Sequence, residues 1–172
     1  MIVKETLNGE EKTVSNTPKE IELLFRNKKL DSARVIFFTY FLLGKRKFLS
    51  VEEYIFFELV YSIRNEKGKL NLKYKYFKLD EVLREILVFL AECRYIELKS
   101  NGAKTINDIK ISITDNGKKL ALDLNSEYFS KIRKEIMNLK ACAKYTKGNY
   151  KEILKALNDN EAFKEIKKKY GI

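Results

Sequence analysis

The residues of this chain whose types suit a chemical role are mainly lysines and arginines. Among 172 residues, 35 are Lys or Arg and 24 are Asp or Glu, which gives a formal net charge of +11. Most of the excess lies in residues 130–172. Because basic side chains neutralise phosphate, this charge favours contact with a polyanion, nucleic acid above all, from the C-terminal side.

Two groups of basic residues are candidates for that contact. One surrounds the tip of a predicted β-hairpin, and the other lies on the helix that follows it. The first group is Lys99, Lys104 and Lys110, and the second is Lys131, Arg133, Lys134, Lys140 and Lys144. For the first group, surface solubility is an equally good explanation. For the second group we favour a polyanion or an acidic partner.

The run Lys73-Tyr74-Lys75-Tyr76 is a third candidate. Aromatic rings stack on bases while lysines bind the phosphates of a single strand. The same alternation is typical of a half-buried strand with its tyrosines inward, or of a solvated loop. We favour this structural interpretation.

The residues that most enzymes need are missing. The chain has no histidine, so neither a Ser-His-Asp nor a Cys-His set is available. It also has no glycine-rich loop for nucleotide phosphates. The two cysteines, Cys93 and Cys142, form no CxxC motif, and their apolar helical surroundings predict buried free thiols. We expect a protein that is not an enzyme and needs no cofactor or metal.

The composition predicts a mostly α (α+β) fold, because Lys, Glu, Leu and Ile are abundant and only one proline occurs. The central segment predicts a helix at 79–92 with Asp80 as its cap, strands at 95–98 and 109–113, and a helix after Thr114. A hydroxyl cap at Thr17, followed by Pro18, predicts a short helix that ends near Arg26.

The flanking segments predict further helices. A buried helix at 30–43 ends at Gly44 and the cations Lys45, Arg46 and Lys47, which suit the carboxyl end of a helix. Ser50 begins the next helix, which runs to about Arg64. After the central segment, a helix at 126–143 repeats apolar residues, a break follows at 146–149, and a last helical region extends to Lys169.

The central segment resembles the shared pattern of winged-helix proteins. The likeness rests on Leu87, Leu90, Tyr95-Ile96-Glu97, the hairpin, and Ile113-Thr114 with Gly117 and Leu120. In that family a strand with a YIE-like motif follows the third helix. The second strand of the hairpin then leads into a helix that begins with an ITxxGxxL motif. Arg94 stands where the family usually has glycine, so the helix must end in a less relaxed geometry or at another residue.

The resemblance implies a winged helix-turn-helix with a two-stranded wing and additional N- and C-terminal helices. The domain organisation we expect is a polar arm at 1–18, a winged-helix domain at 19–125, and a basic helical extension at 126–172. We expect the extension to pack on or beside the domain.

A longer likeness covers residues 31–139. This segment is similar to the middle components of bacterial ABC-three-component systems and to accessory subunits of Lamassu-type antiphage complexes. Such a resemblance implies a small non-catalytic subunit. It would bind an SMC- or ABC-type ATPase, beside an effector protein, through its winged helix.

The helix at 79–92 is unsuited to reading DNA. Its predicted outward face carries four carboxylates and one guanidinium, with neither Asn nor Gln to recognise adenine. Such a face suits a protein partner better, with possible non-specific DNA contact elsewhere. The partner-binding candidates on this face are Asp80, Arg84, Val88 and Ala91.

The helix at 126–143 supplies further candidates. Its apolar residues Phe129, Ile132, Ile136, Leu139 and Ala143 are spaced 3, 4, 3 and 4 apart, as in a helix hairpin or a contact with a partner helix. We therefore add Ile132, Ile136 and Leu139 to the partner-binding candidates.

Two alternatives stay open. One is a winged-helix transcriptional regulator that binds DNA and forms a homodimer through the apolar stripe. The other is an adaptor with no nucleic-acid role. The N-terminus lacks the apolar core of a signal peptide, and the longest apolar run is far shorter than the roughly 20 residues that span a bilayer. We expect a cytoplasmic protein that does not enter membranes.

Overall fold

The computed structural model describes residues 28–65, 69–100, 102 and 105–170. The predicted polar arm at 1–18, the helix after Thr17 and Lys104 lie outside the described residues. Within them the predicted mostly α fold with a small β component is confirmed. None of the described helices is long and apolar enough to cross a membrane.

The described part of the chain contains seven helices, three strands and one short 3₁₀ turn. In chain order they are α1 (Lys28–Leu43), β1 (Leu49–Ser50), α2 (Val51–Asn65), α3 (Lys69–Glu92), β2 (Ile96–Lys99), the 3₁₀ turn (Ile106–Asp108), β3 (Lys110–Ile113), α4 (Asp115–Asp123), α5 (Glu127–Cys142), α6 (Lys147–Ala156) and α7 (Asn160–Tyr170).

Local side-chain chemistry sets most of the helix starts. The hydroxyls of Ser50, Thr114, Ser126 and Thr146 each accept a hydrogen bond from the backbone N–H three residues later. Such a bond satisfies a donor that has no partner inside the helix. The predicted starts at Ser50, Thr114 and Ser126 are confirmed, and the predicted break at 146–149 is the cap and first turn of α6.

The sheet has the order β1-β3-β2, and both pairings are antiparallel. Ile111 of the central strand β3 lies opposite Leu49 of β1 on one side and opposite Leu98 of β2 on the other. Leu49, Ile96 and Ile111 are buried, so this face of the sheet packs on the helices. The sequence did not predict β1, because two residues are too few to show a strand pattern.

Helix α3 begins about three turns earlier than predicted, so Asp80, the predicted cap, lies inside the helix and the cap prediction was wrong. The run at 73–76 is therefore helical, and its interpretation as a strand or loop was wrong. Tyr76 and Leu79 are half-buried against the core and continue the helical spacing of Leu83, Ile86 and Leu90. Because this stripe packs on the core, the segment is helical even though lysine and tyrosine alternate in it as they would in a strand.

Helices α1 and α2 form the centre of the fold. Seven consecutive residues of α2, 54–60, are buried. Helix α1 contacts α2, α3, α4 and α5, and α2 contacts α3, α5, α6 and α7. The C-terminal helices therefore pack directly on the two central helices.

A charged network lies between the two central helices. The Glu58 carboxylate is 3% exposed and accepts hydrogen bonds from Arg34 Nη2 at 2.9 Å and from the Tyr54 hydroxyl at 3.0 Å. The guanidinium also lies over the rings of Phe38 and Tyr61. Burial lowers the pKa of Arg34, but the charge of Glu58 outweighs this and holds the pKa above its usual value. Burial has the largest effect on Tyr54 and raises the pKa of its hydroxyl, and the nearby charge of Glu58 raises this pKa further.

A second network joins the end of α3 to the start of α4. Arg94 has a left-handed φ of 58°, and the N–H groups of Arg94 and Tyr95 bond back to Ala91 O and Leu90 O. This is a Schellman ending without glycine, the less relaxed geometry expected at this position. The Thr114 hydroxyl lies 2.7 Å from Arg94 O and 3.0 Å from Tyr95 O.

Glycine at 117 is required by the same junction. A Cβ atom there would lie 2.1 Å from Tyr95 O, a backbone atom that is held by the Thr114 N–H. We expect Gly117→Ala to lower the free energy of unfolding by about 3 kcal/mol or more, because the backbone must shift to relieve the clash. Equilibrium urea unfolding measures this change.

Gly148→Ala is the matched control. Position 148 lies in α6, and the nearest atom to its added Cβ is Thr146 Oγ1 at 3.8 Å. This variant should be unchanged or more stable by up to about 1 kcal/mol, because alanine favours helix. Equal stability of Gly117→Ala and the wild type would contradict the junction as described.

The Glu58 network yields a second stability prediction. Arg34→Met removes the cation that balances the buried carboxylate of Glu58, so we expect a loss of about 3–5 kcal/mol in urea unfolding. The double variant Arg34→Met/Glu58→Met should recover part of that loss, because no unpaired charge remains. A double variant that is less stable than the single one would show that the charge pair itself supplies the stability.

Candidate nucleic-acid interface and partner surface

The loop end of the β2–β3 hairpin, at the base of the connection between Lys99 and Lys110, gathers lysines around one aromatic ring. Lys99 and Lys110 lie directly opposite each other in the sheet register, and both are exposed. The ammonium groups of Lys99 and Lys47 lie 4.7 Å and 5.6 Å from the centroid of the Phe48 ring. We call these four residues the hairpin-base cluster. Like charges at this spacing repel one another, so the cluster favours an anion beside it.

The face of the sheet that carries this cluster also holds an acid. Glu97 lies two residues before Lys99, so alternation of side chains places both on the same face of β2. Its carboxylate accepts a hydrogen bond from the Ser112 hydroxyl at 3.3 Å. The hydrogen bond from Ser112 satisfies part of the hydrogen-bonding capacity of the Glu97 carboxylate but leaves its negative charge unchanged. An anion would therefore be held best at the part of the cluster farthest from Glu97.

The predicted basic residues of α5 separate into two sets. Arg133 and Lys140 face the C-terminal end of α1: the Arg133 guanidinium lies 5.0 Å from the Phe41 ring centroid, and Lys140 Nζ donates to Phe41 O at 3.0 Å. Lys131 and Lys134 are exposed, and Lys131 pairs with Glu127 one turn away. An exposed pair of this kind contributes little to stability.

The link between α1 and β1 connects the hairpin-base cluster to α5. Arg46 donates to Leu42 O at 3.1 Å and to the Glu53 carboxylate at 2.7 Å. Arg46 and Lys140 thus supply cations to the last carbonyls of α1, where the helix dipole favours positive charge. The next residues, Lys47 and Phe48, belong to the cluster. The link therefore lies between Lys140 of α5 and Lys99 of β2, one residue from each predicted basic group.

Sequence reasoning assigned Lys45, Arg46 and Lys47 only to the end of a helix. That assignment is confirmed for Arg46, whose guanidinium binds a carbonyl of the last turn. The role of Lys47 in the hairpin-base cluster was missed, because the link and the hairpin are far apart in sequence. The run of three cations was the available signal.

A groove of about 510 Å³ lies between the link, the first half of α2 and the end of α5. Its wall includes the predicted residues Lys140 and Lys144, together with Arg46, Glu53 and Tyr145. The Tyr145 hydroxyl donates a short hydrogen bond to Glu52. Burial has the largest effect on Tyr145 and raises the pKa of its hydroxyl, and the hydrogen bond to Glu52 raises this pKa further. Two acids at this end of α2 are therefore already engaged by Arg46 and Tyr145.

The two cysteines do not have the predicted burial. Both are free and exposed. Cys93 lies in the turn after α3, and Cys142 is the last residue of α5 and lines the groove. Their apolar neighbours in sequence pack inward while the thiols do not. Arg64 Nη1 donates to Cys142 Sγ at 3.5 Å.

The outer face of α3 combines acids with exposed apolar side chains. Arg84 and Glu85 are exposed, Val88 is 49% exposed and Ala91 is half-buried. The side chain of Asp80 lies outside the described residues. Phe77 is 61% exposed and shares the face of Val88, eleven residues or three turns later. Phe77 was missed because its segment was not predicted to be helical.

The apolar stripe of α5 serves the chain's own core. Ile132, Ile136 and Leu139 are fully buried, and α5 contacts both α1 and α2. The Phe129 ring lies 4.9 Å from that of Phe37. The stripe therefore forms the intramolecular packing that its spacing allows, and in this fold it offers no exposed surface to a partner.

Comparison of the chain with models of protein families, with curated proteins and with solved structures finds no match. Among the described residues, no group of Cys, Asp and Glu side chains is placed to hold a metal ion. The functional interpretation therefore rests on the geometry of these surfaces and on the resemblance seen in the sequence.

Proposed function

We propose that this chain is a non-catalytic winged-helix accessory subunit that binds a partner protein through the outer face of α3. In this proposal α1, α2 and α3 are the three helices of the winged helix, and the β2–β3 hairpin is the wing. Support comes from the element order and from the antiparallel order β1-β3-β2, in which the short β1 extends the hairpin.

The observation that carries the proposal is the separation of apolar and basic surfaces. The outer face of α3, where a DNA reader would carry base-contacting groups, exposes Phe77 and Val88 beside Glu85. This face also carries the exposed cation Arg84, whereas the lysines of the hairpin-base cluster and Arg46 lie elsewhere, at the loop end of the hairpin and in the link. Exposed apolar side chains bordered by charge favour a protein partner, and carboxylates near a phosphate backbone oppose DNA binding.

The partner we propose is an SMC- or ABC-type ATPase subunit that works with an effector protein in antiphage defence. This part rests on the likeness of residues 31–139 to accessory subunits of such complexes. The regulator alternative relied on a dimer through the α5 stripe. Ile132, Ile136 and Leu139 are buried in the chain's own core, so this dimer would need another surface, and we propose the accessory subunit first.

Nucleic acid has a secondary place in this function. The hairpin-base cluster, with the exposed Lys131 and Lys134 of α5, would neutralise phosphates without contacting base edges. Such contacts position a protein on nucleic acid but carry no sequence information. We therefore propose non-specific contact, sensitive to salt.

Co-purification tests the partner surface. The tagged chain, expressed with the products of its neighbouring genes, should retain an ATPase subunit that mass spectrometry identifies by sequence. We expect Val88→Asp to weaken this association about 30-fold, because a charge would replace a central apolar contact worth about 2 kcal/mol. Titration of the purified subunits measures the dissociation constant.

Met137→Asp is the matched control, because Met137 is 56% exposed on α5, outside the proposed surface. It should bind the ATPase subunit as the wild type does. Equal affinities of Val88→Asp and wild type would place the contact elsewhere. Failure of the wild-type chain to retain any ATPase subunit would remove the proposed function.

A further inference from the structure

The groove at the end of α5 has a basic rim. Arg46, Lys140 and Lys144 all line it. The acid in its wall, Glu53, is paired with Arg46 at 2.7 Å and its side chain is only 13% exposed. The accessible charge of the rim is therefore positive, and it favours an anionic ligand.

Two of the rim cations are held in place. Lys140 Nζ is bound to Phe41 O, and Arg46 is bound to Leu42 O while its side chain stays 49% exposed. A bound side chain loses less freedom when a ligand arrives, so fixed cations bind more favourably than free ones. Lys144 is exposed, lines the same groove and supplies a third charge.

Part of the groove lining is apolar. Phe57, Ala141 and Ala143 contribute to its lining. Its volume of about 510 Å³ falls in the range of known ligand sites, about 300–1,000 Å³. The space suits a short peptide segment with one apolar side chain, and the rim suits carboxylates on either side of it.

We infer that this groove binds an acidic peptide segment of a partner protein, in an extended form with an apolar residue between carboxylates. Nucleic acid fits less well, because its backbone carries a charge at every step and gains nothing from the apolar lining. No lining residue belongs to α3, so the inference does not depend on the proposed function.

The chain contains its own reporter for this site. Cys142 lines the groove, whereas Cys93 lies in the turn after α3, and both thiols are exposed. The probe is the capped peptide Asp-Leu-Glu-Asp-Leu-Glu, and its control is the amide analogue Asn-Leu-Gln-Asn-Leu-Gln. The full chain is alkylated with N-ethylmaleimide, and mass spectrometry follows the rate at each cysteine.

At a concentration about four times its dissociation constant, the acidic peptide should slow alkylation of Cys142 about fivefold, since one fifth of the sites stay free. Alkylation of Cys93 should not change. The amide analogue should protect neither thiol, and added salt should reduce the protection. Absence of protection by millimolar acidic peptide, or equal protection by the amide analogue, would overturn the inference.

Charge reversal separates the groove from the general charge of the protein. Lys144→Glu should weaken peptide binding about fivefold, whereas Lys151→Glu, an exposed position on α6 that does not line the groove, should bind as the wild type does. Equal weakening in both variants would show attraction to net charge alone. Protection of Cys142 by duplex DNA but not by the peptide would assign the groove to nucleic acid instead.

Discussion

The carboxylate of Glu58 is the charge on which the packing of the two central helices depends. It is almost completely buried, and it is bound by Arg34 from α1 and by Tyr54 from its own helix, as a buried charge requires. These bonds require one rotation and one register between α1 and α2. Every other described helix contacts one or both of these helices, so the positions of those helices depend on how α1 and α2 are packed.

The positions of the candidate binding surfaces depend on how the C-terminal ends of α1 and α3 are capped. Arg46 and Lys140 bind the last carbonyls of α1, which directs the link so that Lys47 and Phe48 meet the hairpin base. At the end of α3, the strained turn at Arg94 and the close approach at Gly117 set the direction of the hairpin. Capping therefore positions the same cations that face solvent, and structural and binding roles coincide in Arg46 and Lys140.

Local patterns predicted the helices, their hydroxyl caps and the two hairpin strands, because caps and periodicity act within a few residues. The errors arose where distant packing decides the outcome. Tyr76 packs on the core and extends α3 through a run that alternates like a strand. Ile136 meets α1 and α2 rather than a partner. Cys142 is exposed although its neighbour Leu139 is fully buried.

The central claim is that the outer face of α3 does not read DNA, while the hairpin base contacts it without sequence preference. Titration of the isotope-labelled chain with duplexes of unrelated sequence, followed through backbone amide signals, tests this directly. The account predicts shifts at Lys47, Lys99 and Lys110, equal for all duplexes, and none at Arg84 or Val88. Large shifts along α3 that depend on the duplex sequence would contradict it.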